Sequence, residues 1–352
     1  METKIAEIDK NFALEKIINK DGMRFYNAAK PPFKIFGVIM DTGDFCRMPK
    51  SIAKSVNSNI EALNFHTAGG RVKFKTNSQK ISIIANMSHV GKMPHFAFSG
   101  SIGFDLYVNN RYNGSFIPNI GISDKLESTV CIENKGISEV TVNFPLYSGV
   151  KELLVGIEEN AIISEADEYR IEDPIVFYGS SITQGGCASR PGNSYQAIIS
   201  REFDCDYINL GFSGSAKAEN EIIDYIKNLK MSVFVFDYDH NSPNTEHLAA
   251  THEKAFIEIR KQNPDLPIII MSRPKYYLTK EEKARLNIIK TTYTNALEKG
   301  DKNVYFLDGK ALMKTARDNG TVDNCHPNDL GFYSIAQALT TVFKKIYSGK
   351  KI

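Results

Sequence analysis

Residues 174–183 read Pro174-Ile175-Val176-Phe177-Tyr178-Gly179-Ser180-Ser181-Ile182-Thr183, and this stretch decides the reading of the C-terminal half. A short apolar run ends at a glycine and two serines, and a helical stretch follows around Tyr195 to Phe203. The same unit then repeats. Strand-like runs recur at 207–210, at 233–236 (Val-Phe-Val-Phe), at 267–271 and at 304–307. Helical stretches from about Glu219 to Leu229 and Glu246 to Lys261 lie between them. A run apolar at every position suits a strand covered on both faces. The last helix places Ile335, Leu339, Val342, Phe343 and Ile346 on one face. Five strands alternating with helices predict a parallel sheet between helical layers.

Upstream the texture differs. Arg71 to Lys75 alternates with period two, as does Val140 to Phe144, and short apolar runs stand at 81–85, 104–108 and 153–157. Turn residues such as Asn109-Asn110, Asn113-Gly114 and Ser148-Gly149 separate them. This pattern predicts an antiparallel β-sandwich. Before residue 70, Pro31-Pro32 and scattered polar residues argue against a long helix. The boundary is expected in the charged stretch Glu158 to Asp173, giving domains 1–165 and 172–352.

Composition narrows the function. The 352 residues carry 43 Lys plus Arg and 41 Asp plus Glu, a net charge of +2, which leaves no basic excess for nucleic acid. No run approaches the roughly 20 apolar residues that span a bilayer. The acidic start, Met1 to Glu7, has no apolar leader region, and five cysteines without CxxC spacing read as reduced thiols. A cytoplasmic protein is expected, with no membrane partner.

In doubly wound sheets ligands bind beyond the carboxyl ends of the strands. After the first strand, Ser180 and Ser181 sit where a hydroxyl is presented at a tight turn, although serine is also a common helix cap. Neither the G-x-S-x-G elbow nor the P-loop fits. After the second strand, Gly211 to Ser215 is a glycine-rich turn whose backbone N–H groups suit an oxyanion, or simply a flexible connection. After the third, Asn241 offers a side-chain amide within a polar loop. Asp237, Asp239, His240, His247 and His252 are close in sequence, but no helix-borne zinc motif is present and no metal is expected. Before the last helix, Asp323 precedes His326 by three residues. A carboxylate there can take the Nδ1 proton and leave Nε2 as a base. Cys325, between them, is expected to point elsewhere.

Together these segments resemble the SGNH (GDSL-like) hydrolases. Ser181 matches the nucleophile of the first block, Gly214 the glycine of the second, Asn241 the asparagine of the third, and Asp323 with His326 the closing D-x-x-H. Ser180 stands where the family name has Asp, and the third block reads Asp-His-Asn-Ser-Pro in place of Gly-x-Asn-Asp. The Gly-x-Ser-Ile register selects Ser181 over Ser180. Gly103-Phe104-Asp105-Leu106-Tyr107 resembles the G-x-D-L-Y signature of a β-sandwich found ahead of such hydrolases, and Pro145 to Gly149 fits the same arrangement.

The resemblance implies a flavodoxin-like hydrolase domain behind a jelly-roll-like sandwich, in the manner of bacterial carbohydrate esterases. It implies a Ser181–His326–Asp323 triad, an oxyanion hole from Ser181, Gly214 and Asn241, and no cofactor. The expected reaction is hydrolysis of small acyl esters, acetyl foremost, on oligosaccharides. Rival expectations are an acyl-lipid or thioester hydrolase with the same triad, and a carbohydrate-binding protein without turnover. Asp105 and Tyr107 are expected to serve structure. A homodimer is the default assembly.

Overall fold

The computed structural model describes residues 16–20 and 22–348; the acidic stretch 1–7 lies outside the described residues. In the C-terminal half the five strands are β1 (Ile171–Gly179), β2 (Cys205–Gly211), β3 (Val233–Asp237), β4 (Ile268–Met271) and β5 (Val304–Leu307). They form one parallel sheet in the order β2-β1-β3-β4-β5, the flavodoxin-like arrangement. Successive side chains enter opposite layers. Ile175, Phe177, Val233 and Val235 join one buried cluster, while Val176, Tyr178, Phe234 and Phe236 join the other. Each buried side chain of this size contributes about 1.5–3 kcal/mol.

The first layer is covered by α2 (Tyr195–Phe203) and α6 (Asp329–Ser348), which follow the short α1 (Ser181–Gln184) in the chain. The second is covered by α3 (Asn220–Lys227), α4 (Thr245–Gln262) and α5 (Lys280–Glu298). Of these, α5 has no counterpart in the sequence reading. It opens on a capping box, Thr279 with Glu282, and buries Arg285, Ile289, Thr292 and Ala296.

The N-terminal half is a sandwich of two antiparallel sheets. One has the order 16–20, 23–27, 149–158, 80–89, 125–131. The other runs 163–164, 71–76, 138–143, 104–108, 111–116, with 34–36 also pairing 71–76. Val72, Phe74, Ile83, Leu106, Val142 and Val155 fill the space between them.

Two features depart from the sequence pattern. Arg71 and Lys73, on the polar face of their strand, are 2% and 3% exposed. That face is turned onto the C-terminal half. The Arg71 guanidinium lies 3.8 Å from the Tyr207 ring centroid and pairs with Asp206. Residues 47–63, unreadable from pattern, contribute Met48, Ala53 and Ile60 to the second helical layer. Buried Arg47 donates to the carbonyls of Leu63 (2.6 Å), Asn209 (3.3 Å) and Gly211. Among the described residues no helix is long and apolar enough to cross a membrane.

His252 on α4 is 2% exposed, stacks on Phe236 at 4.7 Å, and has Nδ1 2.8 Å from Thr292 Oγ1. Burial pushes its pKa down to about 3, and that of His66 likewise. The unfolded chain takes up these protons below about pH 6.5, whereas the folded state resists until about pH 3. Acidification through that window therefore favours unfolding, by up to about 1.4 kcal/mol per pH unit for each histidine. Urea unfolding at pH 5 and pH 7 is expected to show this loss, and His252→Gln to reduce it.

Candidate active site

The site starts where β1 ends. A Cβ on Gly179 would lie 2.0 Å from the Asp237 carbonyl oxygen, so only glycine permits this approach. The Ser180 N–H donates to that carbonyl at 3.2 Å. The Ser180 hydroxyl turns inward, accepts from the Ile182 N–H at 3.2 Å and caps α1. Ser180 is fully buried, whereas Ser181 is 8% exposed. Ser181 Oγ lies 2.9 Å from His326 Nε2. Adjacent serines thus do different things: one caps the helix and the other faces the imidazole.

The imidazole comes from the loop before α6. Asp323 Oδ2 lies 2.7 Å from His326 Nδ1, and Oδ1 accepts the backbone N–H groups of His326 (2.7 Å) and Cys325 (3.1 Å). One carboxylate therefore orders both the ring and its loop. Partial burial pushes the Asp323 carboxyl up, but the hydrogen bonds from His326 and Cys325 outweigh it and hold the group below its ordinary value. An ionised Asp323 favours the tautomer with the proton on Nδ1, leaving the Nε2 lone pair towards the Ser181 hydroxyl. Cys325 Sγ lies 3.7 Å from His240 Nδ1.

The remaining residues of interest sit on the turns of the two strands flanking β1. Gly214 follows β2 with φ +67, and a Cβ there would meet nothing within 4 Å. Asn241 follows β3, is 8% exposed, and donates one amide N–H to the Phe212 carbonyl at 2.7 Å. Its second amide N–H is left for another acceptor. The Ser181 N–H stands in the first turn of α1, where helical N–H groups have no partner within the helix. The structure thus brings Ser181, His326 and Asp323 into direct contact. Gly214 and Asn241 share the loop floor, and no hydrogen bond among the described residues joins either to Ser181. Asp237, Asp239, His240, His247 and His252 do not gather as ligands. Asp239 is taken by Arg273 and Arg285, His252 by Thr292 and His247 by Ser242.

Four residues here were missed by the sequence reading. Gln184 Oε1 accepts the Ser213 N–H at 3.1 Å and so holds the turn that carries Gly214. Tyr147, from the sandwich, donates its O–H to the Ser181 carbonyl at 3.0 Å. Phe96 packs edge-on against Tyr147, and the rings of Phe96 and His95 lie 6.2 and 5.6 Å from that of His326. Tyr147 lay within a segment that matched the sandwich arrangement; His95 and Phe96 lie in an irregular loop that gave no signal. Asp105, fully buried, accepts from Asn143 (2.7 Å), the Gly192 N–H (2.8 Å) and Arg190 (3.1 Å). It ties the sandwich to the segment that follows α1.

Comparisons with known proteins agree with this architecture. A family profile described as GDSL-like lipase/acylhydrolase matches residues 172–344, and one described as the GxDLY N-terminus of SGNH-hydrolase-type esterases matches 23–163. No curated protein matches the chain. A solved structure from Bacteroides ovatus, described as a GDSL-like lipase, is 27% identical with a TM-score of 0.82, covering 93% of this chain and 98% of that one. A salicylyl-acyltransferase from a tetracycline biosynthetic pathway shares the fold at 17% identity and a TM-score of 0.76, with the same coverage. So does an acetyl xylan esterase from Butyrivibrio proteoclasticus at 12% identity and 0.58, covering 94% of this chain and all of that one.

The Ser181 carbonyl also accepts from the N–H groups of Gly185 (3.1 Å) and Gly186 (2.8 Å). Tyr147→Phe therefore removes one bond without orphaning that carbonyl. It is expected to cost about 1 kcal/mol of stability, read as a lowered midpoint in urea, with the fold retained.

Proposed function

The chain belongs to the GDSL-like, SGNH-type esterases, and from that premise we propose that it is a serine esterase that removes small acyl groups, acetyl foremost, from oligosaccharides. The reading takes residues 1–165 as the sandwich domain and 172–352 as the hydrolase domain. The observation that carries it is the unbroken relay from Asp323 through His326 to Ser181, at 2.7 and 2.9 Å. Ser181 attacks the ester carbonyl while His326 takes its proton, and His326 then delivers that proton to the leaving alcohol. Asp323 keeps the ring oriented and stabilises the imidazolium. The N–H groups of Ser181 and Gly214 and the free amide N–H of Asn241 receive the negative oxygen. Water then attacks the acyl carbon as His326 takes its proton, and the bond to Ser181 Oγ breaks as His326 returns that proton to the serine, releasing the acid. No step calls for a metal or an organic cofactor.

The acetyl-carbohydrate assignment draws on the resemblance to two-domain carbohydrate esterases and on the shared fold with an acetyl xylan esterase. With no tryptophan in the chain, sugar stacking falls to tyrosine or phenylalanine. Phe96 stands beside the His326 ring from the sandwich side.

Ser181→Ala is expected to lower turnover of an aryl acetate by roughly 10⁴ or more. Ser180→Ala is expected to keep turnover within severalfold and lose about 1 kcal/mol of stability as a deleted cap. The opposite pattern reverses the assignment. Asn241→Ala is expected to cost about 10²–10³ in kcat. Acetyl esters should be preferred to butyryl and octanoyl esters, with acetate released from acetylated oligosaccharides. Preference for octanoyl esters would defeat the acetyl reading.

A further inference from the structure

His95, Cys187 and His326 stand together beside the proposed nucleophile. One donor atom from each lies within 4.8 Å of the other two, and no other trio of His, Cys, Asp or Glu gathers this way among the described residues. They come from three separate segments: a sandwich loop, the stretch after α1 and the loop before α6. His95 is exposed and Cys187 is buried at 8% exposure. Cys187 also has a left-handed backbone, φ +70, which non-glycine residues seldom adopt. The relay described above uses neither His95 nor Cys187.

We propose that this trio is an inhibitory zinc site, in which Nε2 of His326, a ring nitrogen of His95 and the Cys187 thiolate hold Zn²⁺ with water in the fourth position. Two imidazoles and a thiolate are a donor set that suits zinc. Donors at about 2.0–2.3 Å from a tetrahedral ion lie roughly 3.3–3.8 Å apart. Closing the observed spacing takes shifts of about an ångström, and exposed His95 is free to make them. Nδ1 of His326 stays bonded to Asp323 at 2.7 Å. That is the carboxylate–histidine–metal arrangement which orients a ligand ring and raises its basicity.

The chemistry balances without an oxidant. The Sγ–H bond of Cys187 breaks, its proton passes to water, and Sγ donates to Zn²⁺. Burial pushes the Cys187 thiol up to about 12, so without an ion it remains protonated and inert. The dication offsets that penalty. Inhibition follows because the ion takes the lone pair that would otherwise receive the Ser181 proton. Binding of the metal is independent of the proposed function. Inhibition rests on His326 being the base.

The two halves are tested separately. Cobalt(II) added to the full chain is expected to give a thiolate-to-metal charge-transfer band in the near ultraviolet. The band should persist in Ser181→Ala and vanish in Cys187→Ser. Its absence from the wild-type chain overturns the site, whatever the activity. Zinc at micromolar concentrations is expected to suppress hydrolysis of an aryl acetate, with recovery on adding a chelator. Cys187→Ser and His95→Ala should each keep metal-free turnover. Each should also raise the zinc concentration for half-inhibition by at least about tenfold, since even outer-shell changes cost metal sites 10–100-fold. Unchanged zinc sensitivity in both variants, or activation by zinc, overturns the inference.

Discussion

The ring of His326 is engaged at both nitrogens, and that double engagement is the constraint around which the C-terminal half is arranged. Asp323 lies three positions away in the same loop, so its contact with Nδ1 is a local matter. Ser181 lies 145 positions away, and its contact with Nε2 exists only if β1 ends beside the loop before α6. The strand order supplies this. With β1 between β2 and β3, the turns bearing Gly214 and Asn241 flank the serine turn from either side. Backbone hydrogen bonds stitch the three turns together: Ser180 N–H to the Asp237 carbonyl, and Phe212 N–H to the Gly179 carbonyl at 2.9 Å. The crevice at the point where strand order reverses is where such sheets place their chemistry.

Much of this was legible in the sequence, and the reason is physical. A parallel strand covered on both faces must be apolar at every position, so runs such as Val233 to Phe236 stand out. Turns at the carboxyl ends are where such sheets place ligands, so Ser181, Asp323 and His326 stood out there as candidates, and the structure brings the three into contact. Helix α5 was missed because the face it buries includes Arg285 and Thr292 beside Ile289 and Ala296, which blurs the apolar period. Strands such as 34–36 and 163–164 were missed because two or three residues carry no period at all. The third failure is more instructive. Arg71 and Lys73 obey the alternation of a half-exposed strand, yet the face they occupy is an interface, and charge alone does not distinguish water from a partner surface.

That interface shows how the sandwich takes part in the site. Burying a guanidinium or a carboxylate carries a desolvation cost that its ion pair offsets only in part. An apolar seam would hold two domains together at less expense. Charged and hydrogen-bonding groups supply direction instead. Asp105 accepts from Arg190 and from the Gly192 N–H, and Tyr107 donates to the Gly192 carbonyl at 3.4 Å. A Cβ on Gly192 would meet the Tyr107 hydroxyl at 2.4 Å, so the segment is gripped closely as well as bonded.

The same segment is held from the other side, where the Ser189 N–H donates to Asp329 at the start of α6 at 2.9 Å. Residues 187–192 are therefore fixed between the sandwich and the helix whose preceding loop carries His326. Tyr147 adds a direct bond from the sandwich to the carbonyl of Ser181. A displacement of the sandwich would move the segment after α1 and the serine turn together. The Ser181 hydroxyl and the His326 imidazole, 2.9 Å apart, would be displaced with it, so the rigidity of this polar seam bears on the candidate site. The G-x-D-L-Y signature thus reads as a clasp: its aspartate is spent on aligning the hydrolase half, and the apolar residues around it, Phe104 and Leu106, fill the sandwich core.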